Sequence, residues 1–163
     1  PDQTVHFDVG RMKSIKALEN AMKNDQTLLL MPQKDILEDD PGLIGLYPIG
    51  TVVRIKQILK SHGDNIRVLV TGVYRAKILE LNQLTPFLAG IVEQVVEVEY
   101  TENLKTKALR RDAKALYTNY AELSDNPAQS VQLQMMASED CGFIADCIAQ
   151  NSGIDYPDKA KLL

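Results

Sequence analysis

Basic residues are in short supply. The chain has 18 Lys and Arg against 22 Asp and Glu, a formal charge of −4 at neutral pH. A polyanion binder needs a cationic excess to displace counterions, so nucleic acid is not an expected partner. Cysteine is scarcer still. Cys141 and Cys147 are the only two, and six residues of helix turn through about 600°, which puts them on different faces. A mutual disulfide would require breaking that helix. Neither spacing nor neighbours suit zinc, because the only histidines, His6 and His62, lie far away in sequence. The cysteines therefore read as packing thiols of a reducing compartment, and no metal site is expected. Long apolar runs are missing too: Leu28 to Met31 falls far short of the ~20 residues that span a bilayer. No basic-then-apolar leader opens the chain, so secretion is not expected. No G-x-x-x-x-G-K-[ST] phosphate loop occurs. Ser130 and Ser138 have no histidine near them in sequence to activate a nucleophile. No catalytic residue and no cofactor site are expected.

What is present is an ordinary globular composition, 163 residues with 45% hydrophobic and 25% charged, enough for one sizeable core or two small lobes. Thr4 to Val9 reads as a strand. Arg11 to Asn24 follows as an amphipathic helix with Ile15, Leu18, Ala21 and Met22 on one stripe. Gln26 to Met31 is a second strand and Gln33 to Pro48 a loop with an acidic centre. Two β-rich runs flank Ser61-His62-Gly63-Asp64, residue types that hairpin turns use. Ile66, Val68 and Val70 alternate with Arg67, Leu69 and Thr71, so one face points inward. Gly72 interrupts that pattern where a bulge would fit. Phe87 to Tyr100 reads as a long last strand. After Tyr100 the period changes: Leu109, Ala113, Leu116, Tyr120 and Leu123 recur at steps of four and three, the mark of a long helix. Asn126 and Pro127 start another helix, and Ile144, Cys147 and Ile148 stripe a third. The expected fold is α+β, with a β-rich lobe over residues 1–100 and a helical bundle over 101–163.

Several segments, in this order, resemble the N-terminal domain of the Lon family of ATP-dependent proteases. His6-Phe7-Asp8-Val9-Gly10-Arg11 with Lys13-Ser14 and Ala17-Leu18 resembles the first strand and helix of bacterial members. Gly50-Thr51-Val52-Val53-Arg54-Ile55 resembles the family's glycine-threonine strand. Arg67-Val68-Leu69-Val70 with Gly72 and Arg75 resembles the next hairpin. Phe143-Ile144-Ala145-Asp146 with Ile148-Ala149 resembles the helix near the end of the bundle. The resemblance implies a PUA-like, barrel-type β lobe and a role in recognising unfolded, damaged or degron-bearing proteins. It also implies a parent that is a homohexameric, cytoplasmic or mitochondrial-matrix serine protease of the Ser-Lys type using ATP and magnesium. The family's Gly-Pro-Ser-Ala-Gly nucleophile segment is missing here, so its catalysis is not carried over. Pro1 in place of methionine and the helix-start signal near Leu163 read as cut ends. A further strand that family members place upstream would leave an edge open here, and self-association is expected from it. The alternative is a stand-alone Lon-like adaptor or small-ligand binder.

The candidate substrate-gripping residues are Leu43, Ile44 and Tyr47, in a loop between Pro41 and Pro48, and Leu84 and Phe87 beside Pro86. Large apolar residues placed among turn formers suit a surface that holds unfolded segments. The competing reading folds both loops back as lids on the core. Met12, Met22, Met31, Met135 and Met136 offer adaptable contacts, with Met22 and Met31 assigned to the core. Glu38-Asp39-Asp40 reads as a solvated acidic run without calcium-loop spacing. Arg54, Lys56, Arg67 and Lys77 read as the outward faces of strands, and Arg110-Arg111 as the exposed side of the long helix.

Overall fold

The structure is a computed structural model that describes residues 3–60, 66–96, 100–124 and 129–163. It forms two compact units, residues 1–97 and 98–162. The first contains β1 (Thr4–Val9), α1 (Met12–Lys23), β2 (Thr27–Leu30), a 3-10 turn (Leu43–Gly45), β3 (Ile49–Lys60), β4 (Ile66–Gln83) and β5 (Ala89–Gln94). The second contains α2 (Leu104–Glu122), α3 (Gln129–Ala137), α4 (Cys141–Asn151) and α5 (Tyr156–Leu162). This is the expected α+β order.

The sheet is antiparallel and five-stranded, ordered β1-β4-β3-β2, with β5 added on β4. The 18-residue β4 is the spine. Its first half pairs with β1, from Thr4↔Thr71 to Val9↔Ile66, and its second half pairs with β5, from Ala76↔Gln94 to Gln83↔Ala89. The other edge of β4 carries β3 along most of that length. The bulge expected at Gly72 is there: the register skips between Val52↔Tyr74 and Val53↔Gly72, leaving Val73 unopposed. The extra residue bends the spine and lets its two halves serve different neighbours. The expected hairpin turn at residues 61–64 lies outside the described residues.

The last strand is shorter than Phe87–Tyr100. β5 ends at Gln94, and one further hydrogen bond, Val95 N–H to the Arg75 carbonyl at 2.9 Å, closes the pairing. The reason is steric competition, because from Thr71 back to Ile66 the same edge of β4 is occupied by β1. Residues 97–99 lie outside the description.

The core of the first unit forms where α1 lays Leu18 and Ala21 over Val53 and Ile55 of β3 and Val68 and Val70 of β4. Val68 and Val70 are completely buried, each worth about 1.5–3 kcal/mol relative to exposure. Met22, assigned to the core from its stripe, is exposed instead. Leu18 and Ala21, with part-buried Ile15, make the face that α1 turns to the sheet, and Met22 lies off it.

In the second unit Tyr117 and Ala121 of α2, Met135 of α3, and Ile144 and Cys147 of α4 make the core. The starts of α2 and α4 are capped. Asn103 and Thr106 form a reciprocal capping box on α2. Asp140 Oδ1 accepts from Gly142 N–H at 2.7 Å and Phe143 N–H at 3.2 Å on α4. The start signal at Asn126-Pro127 lies outside the described residues. Two expectations are corrected here. Met135 is fully buried rather than a surface contact, since α3 is short and this one side chain fills the gap between α2 and α4. Arg110 is not on the exposed side of the helix: its side chain is only 11% exposed, with the guanidinium bound to Glu102 at 2.9 Å and to Glu139. Both cysteines are free thiols.

Candidate functional site

The first unit contains a groove of about 710 Å³, within the range of binding clefts. Val52 of β3 and Tyr74, Ile78 and Leu81 of β4 line it together with the end of β1, β2, the length of α1 from Lys13 to Ala21, the turn around Phe87 and Leu88, and the start of β5. Gly90 is required there, because a side chain at that position would run into the Glu80 carbonyl across the β4 bulge. Leu28, Leu30, Met31 and Leu46 supply further apolar wall, while Asp8, Arg11, Lys13, Asp25, Asp39 and Asp40 set charges along it.

Those charges are mostly committed to one another. Lys13 Nζ donates to both oxygens of Asp40 at 2.6 Å. Arg11 donates to Gln33 Oε1 at 2.6 Å and to the Ile36 carbonyl at 3.4 Å. Gln33 in turn donates to the Glu38 carbonyl at 2.8 Å, and Lys34 to the Ile44 carbonyl at 2.7 Å. The loop after β2 is thus tied to the start of α1, while Glu38, Asp39 and Asp40 stay exposed to solvent, as the acidic run reads in sequence. The Thr27 hydroxyl, donating to Asp25 at 2.5 Å, holds that carboxyl below its ordinary range. What is left for a ligand is chiefly apolar surface and main chain.

The backbone of β2 adds a second kind of surface. Ile55 N–H donates to the Gln26 carbonyl at 2.8 Å. With the register Leu28↔Val53 and Leu30↔Thr51, the antiparallel alternation turns Leu28 and Leu30 main-chain groups toward β3. It turns those of Leu29 away from β3, toward the outer edge.

The five residues expected from sequence do not form one cluster. Phe87 is half-buried and lines the groove, as does buried Leu46. Leu43 and Ile44 stand exposed on the 3-10 turn, and Leu84 is exposed before the cis Thr85–Pro86 bond. Tyr47 is half-buried, with its N–H bonded to the Pro32 carbonyl at 2.9 Å. None of those four lines the groove. Groove residues absent from the sequence expectation include Leu28, Leu30, Val52, Tyr74, Ile78 and Leu81. Their only signal is strand alternation, which marks an inward face without saying whether it is filled.

In the second unit, burial pushes the Cys147 thiol and the Tyr117 hydroxyl up from their ordinary values. A hydrogen bond with Cys141 does the same to Tyr100. Among the described residues, no group of three or more His, Cys, Asp or Glu is placed to hold a metal ion. No helix among them is long and apolar enough to cross a membrane.

The family described as the ATP-dependent protease La (LON) substrate-binding domain matches residues 1–163. The chain is 36% identical to the Lon protease of Desulforamulus reducens over all 163 residues, which is 20% of that protein. It is 32% identical to Lon protease 1 of Bacillus subtilis over the same length, 21% of that protein. It therefore spans about a fifth of the curated relatives it matches. Among solved structures it is similar to the N-terminal domain of Mycobacterium avium complex Lon protease. The TM-score is 0.74 at 20% identity, covering 99% of this chain and 81% of that one; at that identity the likeness speaks for the fold.

Proposed function

The chain belongs to the family of ATP-dependent protease La (Lon) substrate-binding domains, and on that footing we propose that it grips unfolded, damaged or degron-bearing polypeptide for a parent protease. The observation that carries this reading is the groove beside β2, apolar along its floor and edged by the outward main chain of Leu29. An unfolded segment offers what such a surface takes: apolar side chains and unpaired backbone. Leu43, Ile44 and Leu84, exposed on neighbouring loops of the same unit, extend the apolar surface, with Tyr47 and Phe87 as partly buried supports. Each grip is weak, and a homohexameric parent multiplies it through effective concentration. ATP hydrolysis with magnesium and peptide-bond cleavage belong to parts of the parent outside this chain, in the cytoplasm or, as the alternative, the mitochondrial matrix.

The test is titration of the purified chain into a fluorescent, permanently unfolded protein and into its folded counterpart. The reading expects saturable binding of the unfolded form only, with no ATP turnover and no cleavage. Equal affinity for both forms, or none for either, overturns it.

The groove volume also favours a second reading, a small-ligand-binding or adaptor domain, since about 710 Å³ suits a drug-sized molecule. Under that reading a small apolar compound raises the melting temperature while unfolded protein does not bind.

A further inference from the structure

The sheet order runs from β2 at one end to β1 and β5 at the other. Residues of all three nevertheless line the same groove, Leu29 of β2, Val9 of β1 and Val92 of β5 among them. The sheet therefore curls until its two outer edges face one cleft, as in a barrel with an open seam. Among the described residues no strand pairs with the outer side of β2. The outward N–H of Thr27 is spent on Asp25 Oδ1 at 3.2 Å, which closes the edge at that end. Leu29 keeps an outward N–H and an outward carbonyl that an added strand can use.

We propose that the seam takes its polypeptide as an added β-strand, paired main chain to main chain with Leu29 on the outer edge of β2. The proposal rests on the client-gripping reading above and names the form in which the client is held: an extended, uncharged, apolar segment. Size points to this occupant. At ~3.3 Å per residue, ~4.8 Å between strands and ~10 Å between layers, one residue of strand fills about 160 Å³. A groove of about 710 Å³ then holds about four to five such residues, and β2 itself has four. Charge points the same way. Both cations on the rim sit beside carboxylates, Lys13 at 2.6 Å from Asp40 and Arg11 at 4.0 Å from Asp39, so an uncharged segment is the complement. Hydrogen bonding narrows the class further. A helix has spent its N–H groups internally, whereas an extended segment offers Leu29 one donor and one acceptor. Proline opposite Leu29 has no donor to offer and is excluded.

The test is fluorescence anisotropy of a short labelled peptide of alternating Val and Thr, titrated with the chain beside an unfolded protein. Methylating the peptide nitrogens one at a time should weaken binding in alternation. The loss is about tenfold where the N–H faces β2 and much smaller at the residues between. Leu29→Pro removes the outward donor and leaves the β2–β3 ladder whole, as proline on an edge strand does. It should weaken the peptide by a similar factor with unchanged circular dichroism, and Leu29→Ala, which keeps the donor, should weaken it less. Where Leu29→Pro does not fold, the methyl series decides. A series without alternation overturns strand addition, and does so alone if the unfolded protein still binds. Failure of both the peptide and the unfolded protein to bind overturns this proposal together with the reading it rests on. Peptide affinity that falls as chain concentration rises assigns the edge to a second copy and overturns it too.

Discussion

Arg67 on β4 holds the carboxylate of Asp8 on β1 with two hydrogen bonds, Nε to Oδ1 at 2.7 Å and Nη2 to Oδ2 at 2.9 Å. The two residues face each other in the β1–β4 register, so the pair clamps an edge strand to the spine of the sheet. The Arg67 side-chain hydrogen bond holds the Asp8 carboxyl below its ordinary value. A carboxyl whose folded pKa is depressed contributes stability that is present above the unfolded pKa, about 3.9. That stability is lost as pH falls through the folded value. Both side chains are nearly half exposed, so the contribution is small and salt-sensitive. Melting temperature recorded between pH 7 and pH 2 should fall less steeply below about pH 4 in Asp8→Asn than in the parent chain. A slope that Asp8→Asn leaves unchanged would remove this pair from the acid response.

Gln26 is the one non-glycine among the described residues with a left-handed backbone, φ 60°. It sits in the turn from α1 to β2, where its N–H donates to the Ala21 carbonyl at 2.9 Å and its carbonyl accepts from Ile55. These two bonds hold the residue where its Cβ is unwelcome. Gln26→Gly should therefore stabilise the chain by up to about 1 kcal/mol, because glycine takes positive φ without that cost. Gln26→Val should destabilise it by a similar or larger amount, since a β-branched residue resists this region most. Urea midpoints of the three proteins check the order Gly above Gln above Val.

Burial separates two residues of α3 that look alike in sequence. Met135 is fully buried between α2 and α4, while Leu133 is exposed. Met135→Ala should cost about 2–5 kcal/mol and Leu133→Ala less than about 0.5 kcal/mol. Chemical denaturation followed by far-ultraviolet circular dichroism, which weights the helices, reads both. Similar losses at the two positions would mean that Leu133 is covered in solution.

Period and order were legible in the sequence; coverage was not. The alternation at Val68 and Val70 named the inward face of β4 correctly, and Gly72 marked its bulge, because both are local properties of one strand. The steps of four and three on α2 named a helix. They could not say that Tyr117 and Ala121, one step around, would be the packed pair. Arg110 was misread because one of its acceptors is distant in sequence: the Glu139 carbonyl, at 2.8 Å, lies 29 residues away. β5 was read too long because its competitor for the edge of β4 is β1, from the opposite end of the unit. The groove has the same character. All five strands and α1 contribute to it, and the loop search based on turn formers reached only Phe87 among the five residues it named.

The placement of those five residues makes the proposed grip divisible. Ile44 and Leu84 are exposed and contribute nothing to a core, so any value they have is in binding. Phe87 lines the groove and is half-buried, so it serves both binding and folding. Replacing Ile44 or Leu84 with Asp should leave stability within about 0.5 kcal/mol. If these residues lie at a contact centre, the same changes should weaken binding of an unfolded client by about 1–2 kcal/mol each. Phe87→Ala should weaken binding and also lower stability, by less than the roughly 3–5 kcal/mol of a fully buried phenylalanine. Measuring each variant twice, by thermal unfolding and by titration with a labelled unfolded protein, separates the two roles. Loss of binding in Phe87→Ala alone confines the grip to the groove and leaves the 3-10 turn as ordinary surface. Loss in Ile44→Asp and Leu84→Asp with unchanged melting extends the grip onto the loops. Retained affinity in all three, with a lower melting temperature only for Phe87→Ala, would make Phe87 a lid on the core and remove these side chains from client recognition.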